Sequence, residues 1–169
     1  MYTKIRRDNM VKVLVADEVW IATALLHIKN PDRGDFAVRE IVRQAEIEKI
    51  AGPEPIRPGV QIHAYLHCVA NRPPNPGRYR MLTETSKGRR RLFKPGDPYH
   101  HLRTGKNAPN EKDIPKKYHE LLDWYNHDYT GGANTEEVDP ILSLRGMGKE
   151  IWAQEDADSY VSQLRAGWQ

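Results

Sequence analysis

Only one cysteine, Cys68, occurs in the 169-residue chain. A lone thiol excludes an internal disulfide and any zinc site that depends on cysteine ligands. Long apolar runs are missing as well. Nothing approaches the roughly 18 consecutive apolar residues needed to span a bilayer, so no membrane role is expected. The opening stretch MYTKIRRDNMVKVLVAD follows its basic residues with a short apolar segment that Lys12 interrupts. It lacks the long hydrophobic region of a secretory signal, and a reducing cytoplasm is the expected compartment. Also absent are a catalytic triad pattern, a paired-carboxylate motif, a phosphate-binding glycine loop and a dinucleotide fingerprint. No enzyme activity, metal or cofactor is therefore expected.

What is present is charge, unevenly spread. Residues 1–135 carry 23 Lys/Arg against 16 Asp/Glu, whereas residues 136–169 carry 3 against 7. A basic body with an acidic tail implies two surfaces with different partners. The densest basic stretch is LTETSKGRRRLFKPGD, in which Lys87, Arg89, Arg90, Arg91 and Lys94 lie within eight residues.

The periodicity predicts a mainly helical α+β fold. DEVWIATALLHIKNP has apolar residues at near-helical spacing after Asp17 and stops at Pro31, which gives a helix at about 17–29. A second helix carries Val38, Ile41, Val42 and Ala45 along one side and stops at Gly52-Pro53. The third starts at Pro58 and ends before Pro73. Its wheel groups Ile62, Tyr65, Leu66 and Val69 as the core arc, with Gln61, His63, Ala64, His67 and Asn71 mainly turned away. RYRML and RRRLF then read as strands joined by TETSKG, with Lys87-Gly88 supplying the turn. Three helices followed by a basic hairpin is the order of a winged helix-turn-helix over residues 17–97, preceded by an extension at 1–16.

In such a fold the third helix enters the DNA major groove and the hairpin lies along phosphates. The expected contacts to double-stranded DNA are therefore Gln61, His63, Ala64, His67 and Asn71 from the helix, and Arg78, Lys87, Arg89, Arg90, Arg91 and Lys94 from the hairpin region. Residues 17–97 resemble winged-helix modules of bacterial and archaeal regulators and restriction-associated proteins, on the strength of Trp20 with the following Ala-Leu-Leu, GVQIHAYLHCVAN and the hairpin. Residues 98–129 read as a loop followed by a helix from Pro115, with Tyr118, Leu121 or Leu122, Tyr125 and Tyr129 on one stripe that packs onto the body. TGGANTEE makes residues 130–138 a linker.

Beyond it, residues 139–169 form two short amphipathic pieces too small to bury their own apolar faces. The pattern Asp139-Pro140, Gly146, Gly148, Lys149, Trp152, followed by Asp156, Asp158, Tyr160, Leu164, Arg165 and Trp168, resembles the toxin-binding segment of antitoxins that neutralise PIN-domain ribonucleases. That resemblance implies a transcription regulator whose tail holds a toxin through Leu144, Lys149, Ile151, Trp152, Tyr160, Leu164, Arg165 and Trp168. The chain departs from those antitoxins in carrying a winged helix in place of a small ribbon element. A homodimer is compatible with operator binding. Two rivals stand beside this reading: a restriction-associated DNA-recognition module without a toxin, and a metal-dependent nuclease built on His63, His67, His100 or His101.

Overall fold

In the computed structural model, which describes residues 12–53 and 55–131, the first helix (α1) spans Val15–Lys29. Its Val19, Trp20, Ile21, Ala22 and Ala24 are all fully buried. A helix apolar on every side belongs at the centre of a domain rather than on its surface, and α1 is the axis of this core. The first turn also takes Asp17 and Glu18 inside, where Lys106 and Arg57 pair with them at 2.8 and 2.5 Å. Buried carboxylates need such partners.

A two-residue strand, Phe36–Ala37 (β1), leads into α2, Val38–Glu48. Glu40 reaches back to accept the Ala37 N–H at 2.8 Å and a two-point pair from Arg33, so its carboxyl is held down at about 2. This satisfies one of the unpaired donors at the helix start. α2 ends at Glu48, ahead of the expected Gly52-Pro53 stop, with Lys49 in the left-handed region at φ 50°.

The third helix departs from expectation in length and in face. α3 comprises the α-helical turn Gly59–Ile62 and a π turn over His63–His67, and there it stops. Val69 already forms a parallel bridge to Leu82, and the Ala70 N–H donates to the Leu82 carbonyl. Its core side is made by Val60, Ala64 and Cys68, all fully buried. Ile62 and Tyr65, assigned to the core from the wheel, are 43% and 44% exposed. The buried arc recurs every fourth residue, at Val60, Ala64 and Cys68, and this leaves Ile62 and Tyr65 toward solvent. The small residues Gly59 and Ala64 face α1 instead, and a Cβ on Gly59 would sit 3.4 Å from Val15.

The hairpin is formed by β2, Leu82–Ser86, and β3, Arg89–Leu92. TETS, read as the loop, is thus the strand itself, and the loop is only Lys87-Gly88, with Gly88 at φ 75°. RYRML is not a strand except at Leu82. Its backbone is used elsewhere: Arg80 N–H bonds the Lys106 carbonyl and Met81 N–H bonds the Cys68 carbonyl. β1 adds to the other edge of β3, giving an antiparallel sheet of order β1-β3-β2.

The last described helix, α4, spans His119–Trp124, preceded by a 3-10 turn over Lys116–Tyr118 and continued by a π turn over Tyr125–Tyr129. Its Tyr118, Leu121 and Tyr125 close the core, with Tyr125 edge-on to Trp20 at 5.3 Å. The described part is therefore an α+β fold of four helices and one three-stranded antiparallel sheet. Among the described residues no helix is long and apolar enough to cross a membrane. The extension 1–11, the end of the linker and every partner-binding residue named from Leu144 to Trp168 lie outside the described residues.

Candidate nucleic-acid interface

The triple arginine of the hairpin is paired with carboxylates of the protein itself, Arg90 in the interior and Arg89 and Arg91 partly exposed. Arg89 pairs with Asp35, 54 positions earlier, at 2.6 Å. Arg90 is fully buried, donating to Glu84 at 3.0 Å and to the Tyr65 and Arg89 carbonyls. Arg91 makes a two-point pair with Asp97, both hydrogen bonds at 2.7 Å. The hydrogen bonds from Arg89 hold the Asp35 carboxyl below its ordinary range, and those from Arg72 do the same for Glu84. Burial works against Asp97, yet Arg91, the Lys94 N–H and Thr83 hold it low as well. Each cation therefore meets a carboxylate ionised at neutral pH, and Arg90, fully buried, has no exposed surface to offer a phosphate. Charge density along a chain does not reveal pairing across it.

The hairpin does not protrude either. The Val38 N–H donates to the Gly88 carbonyl at 3.0 Å, so the turn ends level with the first residue of α2. Lys87 is exposed at that tip and, among the described residues, has no ion-pair partner. Arg78 is likewise exposed, while Lys94 lies with its ammonium 4.4 Å over the Tyr129 ring.

The expected α3 residues divide in the same way. Gln61 is exposed. Ala64 is fully buried and can touch no ligand. His63 is half-buried, bonded at 2.8 Å to the Gly59 carbonyl, and packs edge-on against His67 at 4.8 Å. His67 Nδ1 is buried without a hydrogen-bond partner. Asn71 is exposed, but its amide is committed: it donates to the Glu84 carbonyl and accepts the Glu84 N–H, both at 3.0 Å. It clasps the chain after α3 to β2. His100 and His101 stack on each other at 4.5 Å, and among the described residues no three His, Cys, Asp or Glu side chains gather as a metal site. Cys68 is fully buried and burial pushes its thiol far up, so it is an unreactive core residue.

What the fold does bring together is a cleft between α2 and α3, lined by Val38, Arg39, Val42, Arg43, Glu46, Gln61 and Tyr65. Arg39 and Arg43 are exposed and have no ion-pair partner among the described residues. Because Gly88 bonds to Val38, Lys87 extends this pair of cations at the start of α2. Tyr65 is held rigidly: the Arg72 guanidinium, itself gripped by Glu84, stands 5.1 Å over its ring, and that of Arg90 stands at 5.6 Å. The sequence reading does not single out Arg39, Arg43, Ile62 or Tyr65 as surface-binding residues. A signal for the arginines exists, since they sit four apart on the polar face of an amphipathic helix. No family model, curated protein or solved structure matches this chain.

Proposed function

We propose that the protein is a DNA-binding regulator with a winged-helix body and a C-terminal segment that captures a protein partner. The order α1, β1, α2, α3, hairpin, with β1 paired to β3, supports the winged-helix reading. The observation that carries DNA binding is the run of unpaired cations Lys87, Arg39 and Arg43 beside the exposed face of α3. A duplex presents phosphates on either side of its major groove, and cations flanking a helix face are what that geometry requires. In this reading α2 and the hairpin tip, rather than the hairpin arginines, meet the phosphates.

Replacing Arg39, Arg43 and Lys87 together by alanine will weaken binding to all duplexes alike. It will also lower the slope of log affinity against log salt by about 0.9 for each phosphate that is no longer neutralised. Fluorescence anisotropy with a labelled duplex across a salt series measures both quantities. An unchanged slope would mean that this face does not meet DNA.

The partner-capturing role rests on the sequence of the tail, whose tryptophans and acidic charge suit a protein surface. The partner proposed is a PIN-domain ribonuclease toxin. Deleting residues 136–169 will leave folding and duplex binding close to those of the full chain while abolishing co-purification with the toxin encoded beside it. If the truncated protein unfolds and the full chain captures nothing, the tail belongs to the body and the antitoxin reading fails. Intact duplex binding with no captured toxin would instead favour the restriction-associated reading.

A further inference from the structure

The exposed face of α3 is polar-neutral and apolar, and this limits what it can read. Residues 59–67 contain no Arg, Lys, Asp or Glu. The side chains exposed on its outer side are Gln61, Ile62 and Tyr65. In the major groove guanine is read chiefly by Arg or Lys, and cytosine by Asp or Glu. Adenine is read by the paired donor and acceptor of Asn or Gln, and the thymine methyl by apolar contact. Of the other hydrogen-bonding groups expected here, His63 and Asn71 are committed to the Gly59 carbonyl and to Glu84, and His67 has its Nδ1 buried. Arg39 and Arg43 stand on α2, across the shared cleft from Gln61 and Tyr65.

We infer that α3 reads adjacent A·T base pairs, Gln61 taking an adenine edge while Ile62 and Tyr65 pack on thymine methyls. This rests on the DNA-binding reading above and deepens it. Placement supports adjacency: Gln61, Ile62 and Tyr65 line one shallow hollow with Pro58, so they can meet neighbouring steps of a duplex that rises about 3.4 Å per base pair. Rigidity supports it too. The Arg72 and Arg90 guanidiniums over its ring restrain Tyr65 before it binds, so less side-chain freedom is lost on binding.

The test is selection of binding sites from a random duplex pool with the full chain, followed by affinity measurements on the enriched site. Enriched sites should share at least two neighbouring A·T pairs. Replacing thymidine by deoxyuridine at those pairs, which deletes only the methyl, should weaken binding several-fold. Gln61→Ala should reduce discrimination at one adenine position by about 5- to 150-fold, a larger change than the one it makes in affinity for unselected duplex. Enrichment of G·C steps, or indifference to the methyl and to Q61A in a protein that still binds duplex, would overturn this inference and leave DNA binding standing. No binding to any duplex at low salt would overturn both.

Discussion

Arg103→Met will remove most of the stability of the folded body. The Arg103 side chain is buried, 1% exposed, and among the described residues no carboxylate neutralises it. Its five N–H groups instead reach six backbone carbonyls, those of Leu66, His67, Arg72, Pro73, Gly77 and Tyr79, at 2.6 to 3.2 Å, Nη1 sharing its two hydrogens among three of them. Two of these lie at the end of α3, where the last carbonyls of a helix run short of intrahelical donors. Three more belong to NRPPNPG, in which Pro73, Pro74 and Pro76 have no N–H to offer their neighbours. The guanidinium therefore supplies the donors that this loop lacks. A buried carbonyl left unpaired costs about 1–3 kcal/mol. Even with water rescuing several, a loss of at least about 4 kcal/mol is expected against the roughly 5–15 kcal/mol that a domain possesses. Lysine will not rescue the site, since its three donors radiate from one point and cannot reach six acceptors around a plane. Urea denaturation of R103M and R103K in the full chain measures the effect. A loss under about 1 kcal/mol would show that the loop holds itself.

The contrast between the hairpin arginines and Arg103 explains what is legible in the sequence. α1 and α2 are readable because each is long and bounded by stop signals, and the Lys87-Gly88 turn because glycine tolerates its positive φ. The face of α3 is not, because a nine-residue helix that changes pitch halfway cannot be phased from a wheel. The hairpin arginines mislead for a different reason. Glu84 and Asp97 lie six residues from their partners and are visible, but Asp35 is 54 residues away and only the β1-β3 pairing delivers it. Arg103 gives no local signal, standing alone in a polar passage. The only hint is the need it meets, a proline-rich loop with too few donors. Gly77 and Gly105 share in that packing: a Cβ on Gly77 would lie 2.7 Å from the His67 Cβ, and one on Gly105 would lie 2.6 Å from the Arg78 carbonyl oxygen.

Below pH 6.5 the protein will lose stability through one buried histidine, His27. His27 is 7% exposed, at the end of α1, with its ring edge-on to Phe36 at 4.9 Å and against Tyr129 at 4.9 Å. Its Nε2 accepts the Leu92 N–H at 3.4 Å, a role open only to the neutral ring. Burial, then the positive charges of Lys94 and Arg91, lower its pKa from 6.5 to about 4. The unfolded chain therefore takes up a proton near pH 6.5 while the folded protein resists until about pH 4. Across that window the unfolded state binds more protons, so stability falls as pH falls. At about 1.4 kcal/mol per pH unit, discounted for incomplete burial, the loss comes to roughly 2–3 kcal/mol. His63, also lowered chiefly by burial, adds a smaller loss of the same sign. Asp35, Glu40, Glu84 and Asp97 have depressed values and contribute stability that is lost only at lower pH, for Glu40 between about 4.5 and about 2. His27→Gln keeps an acceptor for the Leu92 N–H but cannot titrate. Chemical denaturation at about pH 7, 6, 5 and 4.5 should show wild-type stability declining steadily and H27Q nearly level. A wild-type profile as flat as that of H27Q would mean that His27 protonates without cost, and that its place among Phe36, Trp124 and Tyr129 is open to water.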